Sequence, residues 1–245
     1  ADLGIRAKPA PVQVAANPVT GSTAKPAESE VAPGESLVAH FSFDTPAEGL
    51  TRDAAGATRF DLDGAKPRGK PGRGTLVFSG EPAYATAAPL DPFHVSTALT
   101  VALWVSPDQP ATNGYLISKH GWNIYRGSDL IPRFETRTAA NDAWATLVAT
   151  RALPARKWSH VAAVFDPKAE KLLVYVDGRP AGEQARTDGR IGAADSYSLE
   201  LGRYNAGKSQ YFAGELDSLR IYARALSSSE IARLVEKERP AIGAE

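Results

Sequence analysis

Asp217 faces the sharpest chemical demand in the chain. In Phe212–Tyr222, FAGELDSLRIY, two-residue alternation predicts that Asp217, Leu219 and Ile221 share one side of a strand. A carboxylate on a core-facing side is costly unless something compensates it. Three partners are open to it: Arg220, main-chain N–H groups, or a metal ion. The four histidines, His40, His94, His120 and His160, show no H-x-x-x-H or H-x-H spacing, which argues against zinc. Asp61–Gly64, DLDG, has an acidic-loop look but lacks the third acidic position and distant Glu of an EF-hand. No G-x-S-x-G elbow, phosphate loop or dinucleotide fingerprint occurs. Aromatic residues are the other resource. Trp122, Tyr125, Trp144, Tyr197, Tyr204 and Tyr211 fall in or beside expected loops. The segments HGWNIYRG (120–127), with Asn123 and Arg126, and AANDAW (139–144) are the richest. Exposed rings of this kind stack on sugar faces or anchor a protein partner, or else pin a long loop to the domain.

The elements that must position these groups read as strands. Lys157–Gly182 gives two of them: Val161, Ala163 and Phe165 alternate up to Asp166-Pro167, and Leu172, Val174 and Val176 alternate up to Asp177-Gly178. Asp177-Gly178 predicts a tight hairpin, because Gly tolerates positive φ. Further strands are expected at 37–44, twice within 74–87, and at 99–107, 115–119, 199–204 and 212–222. In 99–107 Leu99, Val101, Leu103 and Val105 share one face, leaving Trp104 on the other under a loop or beside a partner. Thr45–Pro71 reads as loop-rich. Ser227 followed by Glu230, with Ile231 and Leu234 behind, is a capping box opening a short helix over about 228–237.

Composition narrows the class. The chain has 245 residues, enough to bury a core without staples, and no cysteine, so neither disulfides nor thiolate metal sites are available. Basic and acidic residues number 28 each, which argues against nucleic acid or a polybasic membrane contact. Apolar runs are far shorter than the ~20 residues of a spanning helix. Residues 1–36 carry Pro9, Pro11, Pro18, Pro26 and Pro33 and no aromatic ring, so an extended arm or linker is expected, with Val12, Val14 and Val19 as its anchors. The organisation expected is arm 1–36, one domain 37–238, and tail 239–245. The chain begins at Ala1 and contains no Met, which points to a processed or excised form. A removed secretory signal is one reading and a domain cut from a longer protein the other. A secreted, periplasmic or cell-surface location is expected.

Several segments in order resemble one family. Trp158-Ser-His160-Val-Ala with Phe165-Asp166, then LLVYVDG (172–178), resembles its paired W-x-H-V-A and L-x-V-Y-V-D-G strands. GTLVFSGEPAYATA (74–87), LTVALWVSP (99–107), the opening strand LVAHFSFD (37–44) and the closing RALSSSEIARL (224–234) each match a further family segment. The chain is thereby identified as similar to the laminin-G-like jelly rolls of the concanavalin A-like lectin/glucanase superfamily. The resemblance implies an all-β antiparallel sandwich whose last strand returns beside its first. It also implies a structural calcium on the last strand, here held by Asp217, the Asp44 region and a carbonyl near Gly80. His160 matches the family's W-x-H histidine and is expected to be a partly buried, hydrogen-bonded strand residue. The superfamily's retaining glucanases use an E-x-D-x-x-E strand as nucleophile and acid. The nearest match, Glu215-Leu-Asp217-Ser-Leu-Arg220, has Arg in place of the second Glu and lies on a different strand. A non-enzymatic role is therefore expected.

Two functions remain open. One is a carbohydrate-binding module of a secreted bacterial protein, with Trp122, Asn123, Tyr125, Arg126, Trp144, Tyr204 and Tyr211 as ligand residues. The other is an interaction or assembly domain that docks another protein chain through the arm and the sandwich surface. Oligomeric state is not set by the sequence.

Overall fold

The structure is a computed structural model. It describes residues 36–44, 50–52, 58–70, 73–87, 95, 97–108, 112–140, 142–192 and 197–239. The N-terminal arm with Val12, Val14 and Val19, together with His94 and the last residues of the tail, lies outside the described residues.

In chain order the first strands are β1 (Leu37–Phe41), β2 (Leu50–Arg52), β3 (Arg59–Asp63), β4 (Lys66–Lys70), β5 (Arg73–Ser79) and β6 (Tyr84–Ala87). Then come β7 (Leu99–Pro107), β8 (Gly114–Lys119), β9 (Trp122–Arg126), β10 (Pro132–Arg137) and β11 (Trp144–Val148). The last are β12 (Ser159–Asp166), β13 (Lys171–Val176), β14 (Arg179–Ala185), β15 (Leu199–Leu201) and β16 (Ala213–Tyr222), before helix α1 (Ser228–Glu238). The first sheet runs β14-β13-β12-β7-β16-β5-β4, with β1 also on β16. The second runs β11-β10-β9-β8-β15-β6-β3-β2. All the strand pairings are antiparallel, and the two sheets form a jelly-roll sandwich.

The core between the sheets follows from alternation. Val101, Leu103 and Val105 of β7 meet Val161, Ala163 and Phe165 of β12 from one side. Trp122, Ile124 and Phe134 close it from the other sheet. The rings of Phe41 and Phe60 meet edge to face at 4.7 Å. The hairpin expected at Asp177-Gly178 is formed: both residues have positive φ, +52° and +75°, and Val176 pairs with Arg179. Such a two-residue loop matches the right-handed strand twist.

Helix α1 covers the outer side of the first sheet. Ser227 accepts from the Glu230 amide, and the Glu230 carboxylate accepts from Ser227 N at 2.8 Å, which closes the expected capping box. Ile231 then packs on a second apolar cluster made by Ala102, Ala162, Val164, Tyr175 and Tyr222. At the helix end, Trp104 Nε1 donates to Glu238 at 2.8 Å. The cover over Trp104 is thus the helix terminus.

The opening and closing strands lie side by side, with Leu37 opposite Tyr222 and Phe41 opposite Leu219. Along β16, Ala213–Leu216 pair with β5 and Leu219–Tyr222 pair with β1. The register against β7 breaks between Asp217 and Arg220, and Ser218 has φ +47°. A bulge of this kind inserts one residue and resets the alternation. Asp217 therefore pairs with Trp104 on the outer side, not on the inner side with Leu219 and Ile221 as strict alternation predicts.

Two further expectations are corrected. Thr45–Pro71, expected to be loop-rich, contains β2, β3 and β4. HGWNIYRG is not a loop but holds strand β9, flanked by β8 and β10.

Candidate functional site

The outward side of the second sheet gathers most of the polar and aromatic residues that the core does not use. β10 alternates: Phe134 and Thr136 point inward, while Arg133, Glu135 and Arg137 point outward. Register carries this across the neighbours. Glu135 pairs with Thr146 of β11 and with Asn123 of β9, and Asn123 pairs with Ser118 of β8. Arg133 pairs with Val148 and Tyr125, and Tyr125 with Tyr115. Arg137 pairs with Trp144.

Hydrogen bonds tie this surface together. Glu135 Oε1 accepts from Tyr125 Oη at 3.1 Å and from Thr146 Oγ1 at 3.2 Å, and Glu135 Oε2 accepts from Asn123 Nδ2 at 3.4 Å. Ser118 Oγ donates to Asn123 Oδ1 at 2.8 Å. The rings of Tyr115 and Tyr125 stack at 4.8 Å, and Tyr204 tilts onto Tyr115 at 4.9 Å. Tyr204 arrives from the β15–β16 connection, which also places Asn205 N on Ser118 Oγ at 3.1 Å. Burial and the Glu135 charge raise the phenols of Tyr115 and Tyr125 above their ordinary value, so both stay neutral donors.

At the edge of the patch, Trp144 is 40 % exposed and Tyr197 37 %. His120 stacks on Tyr197 at 4.4 Å and takes a contact from Arg137 Nη1 at 2.7 Å. Burial, then the Arg137 charge, holds the His120 pKa below its usual value, so it is neutral near pH 7.

The sequence-predicted ligand residues separate on this map. Tyr125 and Tyr204 meet around Tyr115, and Trp144 lies on the same face opposite Arg137, about 13 Å further along the strands. Asn123 is buried beneath it and orients Glu135. Trp122 is 1 % exposed and points into the core, so it offers no ring to a ligand. Arg126 also points inward: Nη1 donates to the Thr112 carbonyl at 2.5 Å, the guanidinium lies 5.6 Å from the Phe212 ring, and burial lowers its pKa to about 10. Tyr211 belongs to a neighbouring cluster, where Arg203 lies over the Tyr84 ring and ion-pairs with Glu200. Glu135, Tyr115 and Thr146 were not singled out from the sequence. The signal for Glu135 was the alternation PRFETR over 132–137; Tyr115 opens the strand expected at 115–119, and only cross-strand register brings it and Thr146 beside Glu135.

The other candidate site lies at the Asp217 bulge. Asp217 is buried, and its Oδ1 accepts from Ser218 N at 2.6 Å. Burial first, with the Asp44 charge adding to it, pushes its pKa up to about 7. Asp44 Oδ1 accepts from Gly74 N at 3.0 Å. A Cβ on Gly74 would sit 2.0 Å from the Phe43 carbonyl, so only glycine lets the two backbones meet here. The cation nearest in sequence, Arg220, ion-pairs with Glu238. The Asp44 charge raises the cost of ionising Asp217, and the Arg220 charge partly offsets it. Among the described residues no three His, Cys, Asp or Glu side chains gather as a metal site. A cation there would draw its remaining oxygens from main chain and solvent. Gly80 is not part of this place. It follows Ser79, which pairs with Ala213, about 13 Å along β16 from Asp217 at the usual strand rise. Its carbonyl accepts from Ala83 N at 2.6 Å.

Glu215 is held by Arg68 Nη1 at 2.5 Å and Thr75 Oγ1 at 2.9 Å. His160 is fully buried edge-to-face with Trp104 at 5.4 Å, and burial lowers its pKa to about 3. Its main-chain N–H donates to Asp177 Oδ1 at 3.0 Å, but its ring nitrogens have no hydrogen-bond partner among the described residues. It is thus more buried and less satisfied than expected.

Comparisons with known proteins agree with this architecture. Domain 4 of AbnA, a GH43 extracellular arabinanase from Geobacillus stearothermophilus, solved in complex with arabinotriose, superposes with a TM-score of 0.63 at 21 % identity, covering 82 % of this chain and 98 % of that one. The binding domain of Paraclostridial Mosquitocidal Protein 1 gives a TM-score of 0.65 at 14 % identity, covering 83 % of this chain and 52 % of that one. The binding domain of Botulinum Neurotoxin DC in complex with SialylT gives 0.64 at 13 % identity, covering 83 % and 52 %. This chain therefore spans about half the length of the toxin binding domains it resembles. A search of curated proteins finds no match. A laminin-G family model, described as concanavalin A-like lectin/glucanases superfamily, matches residues 79–232. The chain belongs to that superfamily.

Proposed function

We propose that this protein is a non-catalytic, extracellular carbohydrate-binding module. The observation that carries the reading is the outward patch on β8–β11, where half-buried Tyr125 and, from the β15–β16 connection, Tyr204 pack on buried Tyr115 beside the Glu135 carboxylate and share a face with exposed Trp144. Such a surface offers ring faces to sugar C–H groups and fixed donors and acceptors to hydroxyls. That a related arabinanase domain is solved with a trisaccharide, and a toxin binding domain with SialylT, supports a glycan as the ligand class. No helix among the described residues is long and apolar enough to cross a membrane.

We further propose a structural calcium held by Asp217 and Asp44. Bound there, calcium would add positive charge to that of Arg220 beside Asp217 and Asp44, and these two residues would then tie β16 to the end of β1. The patch and the bulge lie on different sheets, so calcium supports the fold and does not touch the ligand.

A glycan-array screen run with and without EDTA tests both. Binding to a defined glycan class that is lost in Trp144→Ala is expected, with EDTA lowering stability and leaving the specificity unchanged. Absence of any glycan ligand for the folded chain would overturn the carbohydrate reading.

A further inference from the structure

Among the described residues Glu135 forms no ion pair; Arg133 feels its charge, but the arginines around the patch each hold another carboxylate. Arg133 meets Asp129 through two bonds, 2.9 and 2.8 Å. Arg137 meets Asp142 at 2.8 Å and His120 at 2.7 Å. Arg203 is paired with Glu200. The three partners of Glu135 are the two hydroxyls and the amide given above. Oε1 takes both hydroxyls, and Oε2 takes only the 3.4 Å bond from Asn123, so Oε2 retains acceptor capacity toward the surface. Thr146 and the exposed ring of Trp144 lie next to it on β11.

We propose, resting on the saccharide-binding reading, that this patch takes uncharged saccharides and refuses carboxylated or sulfated ones, with Glu135 setting the choice. An ionised acceptor strengthens a bond from a sugar hydroxyl, and charge-assisted bonds are roughly twice as strong as neutral ones. The same charge opposes an anionic sugar, because like charges brought together at an interface cost several kcal/mol. An acidic glycan would need a guanidinium drawn from Asp129, Asp142 or Glu200; only the last is buried and costly to strand, and the exposed pairs of Arg133 and Arg137 leave Glu135 as the main obstacle. Discrimination by an unfavourable charge is as effective as discrimination by an added contact.

The test is calorimetry on the whole chain after an array has identified bound glycans. Matched pairs are titrated: lactose against sialyllactose, and galactotriose against trigalacturonate, together with the best array ligand and its acidic counterpart. Neutral members should bind at least about tenfold more tightly than acidic ones. Raising the salt to about 0.5 M, which shortens the screening length to a few Å, should raise acidic affinity and leave neutral affinity unchanged. Glu135→Gln should weaken neutral binding and bring the ratio to within about threefold. Acidic glycans bound as tightly as neutral ones by the unaltered chain would overturn the inference and leave the module reading standing. A neutral preference unchanged both by salt and in Glu135→Gln would overturn the role given to Glu135. If Glu135→Gln is misfolded, the salt series on the unaltered chain decides. No glycan of either kind bound would overturn the parent reading and this inference with it.

Discussion

Asp217 sits where β1 and β5 share one neighbour, and its environment has a signed consequence for stability. Its folded pKa, about 7, lies above its ordinary value of 3.8. Between those values the folded chain holds the proton more tightly than the unfolded one, so this group's contribution to stability falls as pH rises from about 4 to about 7. His160 works the other way. Its pKa of about 3 lies below 6.5, so its contribution is lost as pH falls through that window. The difference between wild type and Asp217→Asn isolates the carboxylate. In EDTA, thermal melts should show the variant gaining on wild type as pH rises from 5 to 8. Calcium at about a hundred times its Kd should add about 2.7 kcal/mol, or roughly 5–10 °C for a chain of this size, at pH 8 in wild type only. Equal calcium responses in the two proteins would remove the proposed metal. The chemistry of Asp217 was legible in the sequence as a carboxylate in need of compensation, but its side of the strand was not. A bulge depends on which strands meet at that point, and period-two alternation carries no mark of it.

At the scale of elements, local signals were readable wherever a capping residue or turn chemistry fixed them. Ser227 and Glu230 announce α1, and Asp177-Gly178 announces the β13–β14 hairpin. Replacing Ser227 by Ala should cost about 1 kcal/mol, measured by denaturant unfolding, because one amide at the helix start loses its acceptor. The strands that build the patch were less legible. β9 alternates Trp122, Asn123, Ile124, Tyr125, Arg126, yet its aromatic and polar content suggested an exposed loop. Alternation decides instead: Trp122 and Arg126 go inward with Ile124, and Asn123 and Tyr125 go outward. β10 and β11 escaped notice because their outward residues are charged or polar and their cores are short. Trp144 and Val148 are the exceptions, both exposed on the edge strand. Trp144→Ala should lower glycan affinity about tenfold or more, since stacking of this kind is worth ~1–3 kcal/mol by analogy with base stacking on aromatic side chains. Its unfolding free energy should stay within about 0.5 kcal/mol of wild type, as for an ordinary surface change.

For the whole molecule, two sheets bury one core and the chain closes on itself through β1 beside β16. The order of family-like segments predicted that closure, and the pairing of Leu37 with Tyr222 shows it. Phe165 is fully buried between the sheets, with the Arg186 guanidinium 5.4 Å from its ring. Phe165→Ala should destabilise by about 3–5 kcal/mol, read from the shift in denaturant midpoint at unchanged slope. The functional patch is also a property of the whole sheet. Glu135, Asn123, Ser118 and Thr146 come from four strands, and only the register places them in one row. No linear motif encodes that row.

The indole N–H signals of a ¹⁵N-labelled chain give the most direct reading of where a saccharide sits. Trp104 and Trp122 are buried on or between the sheets, whereas Trp144 lies on the patch. Titration with a bound oligosaccharide should shift the Trp144 signal to saturation and leave those of Trp104 and Trp122 in place. A saturating ligand that leaves Trp144 unmoved would contradict the assignment of the patch.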